Sequence, residues 1–265
     1  MEFVIYPLKS PVAFTLFHFP IRYYGLIMAL SFFVGIFLSA FLIKKRYSNK
    51  ESELFLDFIP YNVIFAVIGA RVFYVLGNFS FYYSHPKEIF LINHGGLSIW
   101  GGLLFSIPLF VYFTKKYKLD TLKFLDITSI SLPLCQSIGR WGNYFNQEAY
   151  GAPYNGFLKL FVDYPYRKEG YYSFDYYHPA FLYESIADFL LFIFLLLIFF
   201  KGKNYKKGNI FLIYLFFYCA IRIIVENLRI DSVLDIYSIP IASIISFVIL
   251  VFSFFAYIKN SKKRG

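Results

Sequence analysis

The chain has 265 residues, 58% of them hydrophobic and 24% aromatic, with 16% charged and a formal net charge of +10. Soluble domains carry about 25% charged residues, and so many Phe and Tyr cannot be folded into a water-soluble core of this size. The composition excludes a soluble protein, and the confinement of the positive charge to short clusters just after apolar runs argues against a nucleic-acid partner.

The amino-terminal segment, about 1–21, has prolines and aromatics and is expected to lie on the membrane as an interfacial segment. Seven apolar spans follow. They run from about Tyr23 to Ile43, Phe58 to Leu76, Leu97 to Phe113, Leu125 to Ile138, Ala180 to Phe200, Asn209 to Val225 and Ile236 to Ile258. A helix needs about 20 apolar residues to cross a bilayer, so the fourth span is short, ending at Gly139. The loops after spans one, three, five and seven (Lys44–Lys50, Lys115–Lys123, Lys201–Lys207 and Lys259–Arg264) each hold four Lys or Arg. That asymmetry predicts an all-α integral membrane protein with the amino terminus outside and the carboxyl terminus cytoplasmic. Residues 1–265 read as a single polytopic domain whose outer segments, about 1–21 and 151–178, form a small cap. The first span is too long for a cleavable signal. Cys135 and Cys219 lie inside spans and read as small buried hydrophobes.

The run Gly139-Arg140-Trp141-Gly142-Asn143-Tyr144-Phe145-Asn146-Gln147-Glu148-Ala149-Tyr150-Gly151 places a charge and several hydrogen-bonding side chains beside the hydrocarbon. An ionisable residue there costs roughly 2.5–3.5 kcal/mol even on a lenient insertion scale. Arg140 supplies a planar fork suited to phosphate. At the end of the sixth span Arg222, Glu226 and Arg229 are spaced i, i+4, i+7, one helical face. An Arg–Glu–Arg stripe reads as an ion-pair ladder or as one wall of an anionic site; the extra positive charge points to a third, anionic group. Arg71 in the second span either pairs with Glu184 or Asp188 or contacts a ligand. His178, before Pro179, is a cap, a proton carrier or neither. Gly101 and Gly102, with Trp100, open the third span as a packing seam or a substrate-lining wall. Tyr24 stands at the outer start of the first span. Apart from Arg71, these positions fall at outer span ends, which implies a lipid-level site opening outward. The four histidines lie in separate segments without ligand spacing, so no metal is expected, and no nucleotide loop or other cofactor motif is present.

Together these motifs resemble the bacterial prolipoprotein diacylglyceryl transferases, from Tyr24-Gly25 to Asp231. The strongest part is the Gly139–Gly151 run. The double-glycine start of span three, His178-Pro179…Leu182-Tyr183-Glu184 and Arg222…Glu226…Arg229 follow in the family's order. The resemblance implies a seven-helix enzyme of the bacterial cytoplasmic (inner) membrane. It would move the diacylglyceryl group of phosphatidylglycerol to the thiol of a lipobox cysteine in a secreted prolipoprotein, forming a thioether and releasing glycerol phosphate. Arg140 and Arg222 match the family's two key arginines, and Tyr24, Asn143, Glu148, Gly151, Glu226 and Arg229 match its other functional positions. The implied site places Tyr24 and His178 beside the arginines. Asn143, Asn146, Glu148, Gly151, Glu226, Arg229, Trp100, Gly101, Gly102 and Arg71 line the substrate. The chain departs from the family in having Trp100 where a His is frequent, Ala180-Phe181 where Thr-Gln is common, and no proline between Arg229 and Asp231. The base is left open among His178, a water and no dedicated base. The competing reading is a phospholipid or anionic-solute transporter using the same arginines.

Overall fold

The structure is a computed structural model that describes residues 2–8, 10–91, 95–202, 205–231, 235–236 and 239–262. Lys9, His94, Lys203, Lys263 and Arg264, which entered the sequence reading, lie outside the described residues. The apolar runs form helices: α1 (Tyr23–Arg46), α2 (Asn49–Gly77), α4 (Ile99–Lys116), α5 (Thr121–Asn146), α6 (Ala180–Lys201), α7 (Asn209–Leu228) and α8 (Ile241–Lys262), with a short α3 (Phe79–Ser84). Helices α1, α2, α6, α7 and α8 are long and apolar enough to cross a membrane. The two remaining expected spans fall on α4 and α5. Helix α5 does not stop at Gly139 as the sequence suggested. It runs on to Asn146, so Arg140 and Asn143 are helical residues.

The chain divides into two compact units, 40–124 and a larger one made of 1–39 and 125–265. In the first, α2 starts at an N-cap serine. Ser48 Oγ accepts from Glu51 N (3.3 Å) and donates to the Glu51 carboxylate (3.1 Å). Helices α2 and α4 meet at a glycine seam. A Cβ on Gly101 would stand 2.2 Å from the Gly69 carbonyl oxygen, and one on Gly69 2.5 Å from that of Gly101. Only glycines let two backbones approach so closely. Below the seam Phe58 stacks on Phe113 with centroids 4.1 Å apart.

In the larger unit α1 and α5 pack through small residues. The Cys135 thiol occupies the space a Cβ on Gly35 would need and donates to the Ser31 carbonyl (3.2 Å). One turn further along, the Ser39 and Ser131 hydroxyls hydrogen-bond. Ser185 on α6 donates to the Ser137 carbonyl on α5 (2.8 Å). Cys135 and Cys219 are both free thiols. At the other end of α5, buried Asp126 accepts from Gly208 N (2.7 Å) and Phe211 N (3.0 Å), satisfying orphan donors at the start of α7.

Parts of the segments 1–21 and 151–178, which we call the cap, meet in a small sheet. Strand β4 (Leu158–Phe161) pairs in parallel with β1 (Phe3–Ile5) and antiparallel with β5 (Tyr176–Tyr177). Its core joins Tyr150, Leu160, Val162, Tyr177 and Phe181. Tyr150 donates to the Tyr166 carbonyl (2.8 Å), and burial pushes its phenol up to about 12. A separate hairpin, β2 (Val12–Leu16) with β3 (Phe19–Arg22), precedes α1. Two residue pairs before α8, β6 (Asp235–Ile236) and β7 (Ile239–Pro240), form a further short ladder.

Candidate functional site

The site forms where α5, α6 and α7 end or begin beside the cap. Glu184, in the second turn of α6, is fully buried. Arg140 from α5 donates to its Oε1 through Nη2 (2.6 Å). Arg222 from α7 donates to both of its oxygens through Nη1 (3.1 and 3.2 Å). The two arginines thus meet on one carboxylate. Arg222 also pairs through Nη2 with Glu226 one turn later (2.5 Å). Among the described residues Arg140 makes no other hydrogen bond, so its Nε and Nη1 donors remain for another acceptor.

The ladder continues outward. Arg229 lies 3.5 Å from Glu226 and donates through Nε to Asp231 (2.9 Å). Asp231 in turn accepts from Ala149 N (2.6 Å). Asp231 is therefore the third acceptor that the sequence argument from surplus positive charge did not count, and that surplus is answered within the chain. Helix α7 also ends at Leu228, so Arg229 belongs to its cap rather than its face.

Glu148 closes the carboxyl end of α5. Its Oε1 accepts from Asn143 Nδ2 (2.8 Å) and Asn146 Nδ2 (3.2 Å). The backbone here is left-handed at Gln147 (φ 52°) and Ala149 (φ 58°), a conformation costing on the order of 1–3 kcal/mol per non-glycine residue. Gln147 is held in it by paired hydrogen bonds with Asp163, both 2.7 Å. Gly151 forms an isolated bridge to Arg229, and a Cβ there would meet the Leu228 oxygen and His178 Cβ at 2.8 Å. Only glycine fits that crossing.

Tyr24 lies over α5 because Gly142 has no side chain: a Cβ on Gly142 would be 2.7 Å from its ring. The Tyr24 hydroxyl is within electrostatic reach of Glu148 and Arg140. Gly142→Val is expected to push the ring off the helix and to destabilise the protein by about 1–3 kcal/mol, the usual range for overpacking, measured by thermal unfolding in detergent. Among the described residues His178 makes no hydrogen bond to the three arginines. Its ring stacks on Tyr154 (centroids 3.8 Å) and its Nδ1 is 3.2 Å from the Tyr183 hydroxyl. Burial lowers its pKa from the ordinary histidine value, which favours the neutral imidazole.

Four expected substrate-lining residues, Arg71, Trp100, Gly101 and Gly102, belong to the unit 40–124. Arg71 is buried and, among the described residues, donates to backbone: to the carbonyls of Glu88 (2.5 Å), Ile89 (2.9 Å), Leu91 (3.4 Å), Gly95 (2.6 Å) and Gly96 (2.9 Å). It clamps the stretch before α4. Arg71→Ala is expected to release that stretch, costing more than about 2 kcal/mol given 1.5–3 for each hydrogen bond to a charged group; limited proteolysis after Lys87 reads it. Gly101 serves the helix seam, and Trp100 is exposed at the first turn of α4.

Sequence reasoning placed Glu184 as a partner for Arg71 and as the end of the His178-Pro179 motif, and missed it as the shared acceptor. A carboxylate one turn inside an apolar helix was the available signal. Asp188, one turn deeper, is buried, and neither carboxyl oxygen is hydrogen-bonded among the described residues. Among the described residues no group of three His, Cys, Asp or Glu is placed to hold a metal ion.

A family model for prolipoprotein diacylglyceryl transferase matches residues 11–259. The chain belongs to the prolipoprotein diacylglyceryl transferase family. It is 37% identical over 261 residues to a phosphatidylglycerol–prolipoprotein diacylglyceryl transferase of Clostridium kluyveri, covering 96% of this chain and 99% of that one. It is 38% identical over 229 residues to the Nostoc protein of the same name (85% and 80%). With the Staphylococcus aureus transferase it shares 36% over 252 residues (94% and 88%). The matched region contains every member of the Arg140–Glu184–Arg222 cluster, so this family member carries the cluster within the part it shares with its relatives' family model.

Proposed function

We propose that this chain transfers the diacylglyceryl group of phosphatidylglycerol to the thiol of a lipobox cysteine in secreted prolipoproteins, the first step of lipoprotein maturation. The observation that carries the reading is the meeting of Arg140 and Arg222 on Glu184, with guanidinium donors to spare. Family membership and the relatives' printed names support it. In the reaction the thiol sulfur bonds to the glyceryl carbon, and that carbon's bond to the phosphate oxygen breaks. Glycerol phosphate leaves with the electron pair, and the thiol proton passes to His178 or to water. The nucleophile is the precursor's own cysteine, consistent with Cys135 and Cys219 packing inside the helices.

Arg140 receives the phosphodiester on its Nε and Nη1 edge, and Arg222 adds positive charge from the facing helix. Both stabilise charge gathering on the leaving oxygen, and they do so preorganised, because Glu184 and Glu226 already fix their forks. The same cations favour the thiolate, the attacking form of a thiol whose free pKa is about 8.5. Tyr24 and Asn143 position the glycerol oxygens. Neutral His178 is the candidate proton acceptor, with water as its competitor.

The proposed setting is the bacterial inner membrane, crossed seven times. Basic residues close α1 (Lys44, Lys45, Arg46), α4 (Lys115, Lys116), α6 (Lys201) and α8 (Lys259, Lys262). The site residues stand at the opposite ends of these helices or of their neighbours. The positive-inside rule then puts the lysines in the cytoplasm and the site toward the outer face.

Incubation of the purified protein with phosphatidylglycerol and a lipobox peptide, followed by mass spectrometry, tests the assignment. The expected product is the peptide plus one diacylglyceryl group, with glycerol phosphate released in equal amount. Lipid relocated across vesicles but left intact would replace the transferase by a carrier.

A further inference from the structure

The β2–β3 hairpin has one apolar side that the rest of the chain leaves bare. Its register pairs Leu16 with Phe19 and Phe14 with Ile21. Paired residues share a face, and so do residues two apart on a strand. Phe14, Leu16, Phe19 and Ile21 therefore lie on one side, with Thr15 and Pro20 on the other. Phe14 and Leu16 are each 51% exposed, Phe19 is 67% exposed, and Phe17 at the tip is 84% exposed. The two strands pair only with each other. An isolated two-stranded hairpin is at best marginally stable in water, and this one also turns through left-handed Phe17 (φ 45°) and His18 (φ 71°), a conformation bulky residues rarely adopt.

Continuity identifies what covers the bare face. Strand β3 ends at Arg22 and α1 begins at Tyr23 with no linker between them. Tyr23 N donates to the Pro11 carbonyl (3.0 Å), tying the base of the hairpin to the first turn of the helix. Helix α1 is long and apolar enough to cross a membrane, so the hairpin is held at the depth where that helix enters. Arg22, exposed at the junction, is placed to reach lipid phosphate while its stem stays in apolar surroundings.

We propose that the β2–β3 hairpin is a membrane wedge. Its Phe14–Leu16–Phe19 face rests in the boundary between lipid head groups and acyl chains, and it fixes the depth of Tyr24, two residues beyond its end. The inference depends on α1 crossing the bilayer and not on the transferase reading. A second copy of the chain is the rival occupant of the same face.

The test uses Leu16→Cys and Thr15→Cys, one on each side of the same strand, labelled with a bimane fluorophore in vesicles of phosphatidylcholine and phosphatidylglycerol. The unsubstituted chain gives the background from its own cysteines. The Leu16 label is expected to be quenched by lipids carrying a nitroxide near the top of the acyl chain. It should be several-fold less accessible to aqueous iodide than the Thr15 label. Equal iodide access at the two positions overturns the wedge. So does protection of the Leu16 label that vanishes on dilution of protein in lipid, since that marks contact between copies. If Leu16→Cys does not fold, Phe17→Cys at the tip gives the same reading. Because the readout is accessibility, a wedge that fails and a transferase that fails are told apart.

Discussion

Arg140→Ala is expected to lower thioether formation by about 10²–10³-fold, the loss typical of removing one preorganised donor from a developing oxyanion. Arg222→Ala is expected to do the same. The loss should appear in kcat as well as in KM, because the guanidinium acts on charge that grows in the transition state. Arg140→Lys should recover little of it. A lysine keeps the charge but not the fork that holds Glu184 with Nη2 while presenting Nε and Nη1 elsewhere. Product formation from phosphatidylglycerol and a lipobox peptide, in membranes where the variant is inserted at normal levels, decides the matter. Full activity in both alanine variants would remove the proposed function.

Glu184→Gln is the second large effect, and it acts on folding before it acts on chemistry. The carboxylate is fully buried and takes hydrogen bonds from two arginines on two other helices. The glutamine has the same shape without the charge, so two guanidinium groups lose their shared counter-ion. Removing one partner of a buried ion pair costs roughly 3–5 kcal/mol, and the variant should unfold in detergent at a correspondingly lower temperature. Activity should fall about 10²-fold in the fraction that remains folded, since a displacement of about 1 Å at a reacting centre is enough for that. Unchanged stability would mean that Arg140 and Arg222 are held by something other than Glu184.

The reach of sequence reasoning differed from residue to residue for physical reasons. The apolar runs announced the helices because the bilayer demands about 20 consecutive apolar residues. Arg140 and Arg222 were singled out because a guanidinium is costly beside hydrocarbon. The continuation of α5 through Gly139 and Gly142 was hidden, since glycine reads as a helix end. Here its lack of a side chain instead makes room for Met28 and Tyr24. The shared role of Glu184 was hidden as well: spacing along the chain does not tell which carboxylate meets an arginine 44 positions earlier. Arg71 misled for a different reason. Its five acceptors are all backbone carbonyls, and a backbone acceptor leaves no mark in the sequence. The pairing of Asp231 with Arg229 was not foreseen because Asp231 lies beyond the helix whose face was being read.

Asp126 has a consequence for biogenesis. It receives the first amides of α7 from a position 82 residues upstream of Gly208. A chain delivered to the bilayer from its amino terminus has this acceptor in place before Asn209 leaves the ribosome. A circularly permuted gene that delivers α7 first would leave those amides to water and head groups until Asp126 arrives. The contact ties the start of α7 to a helix synthesised before it.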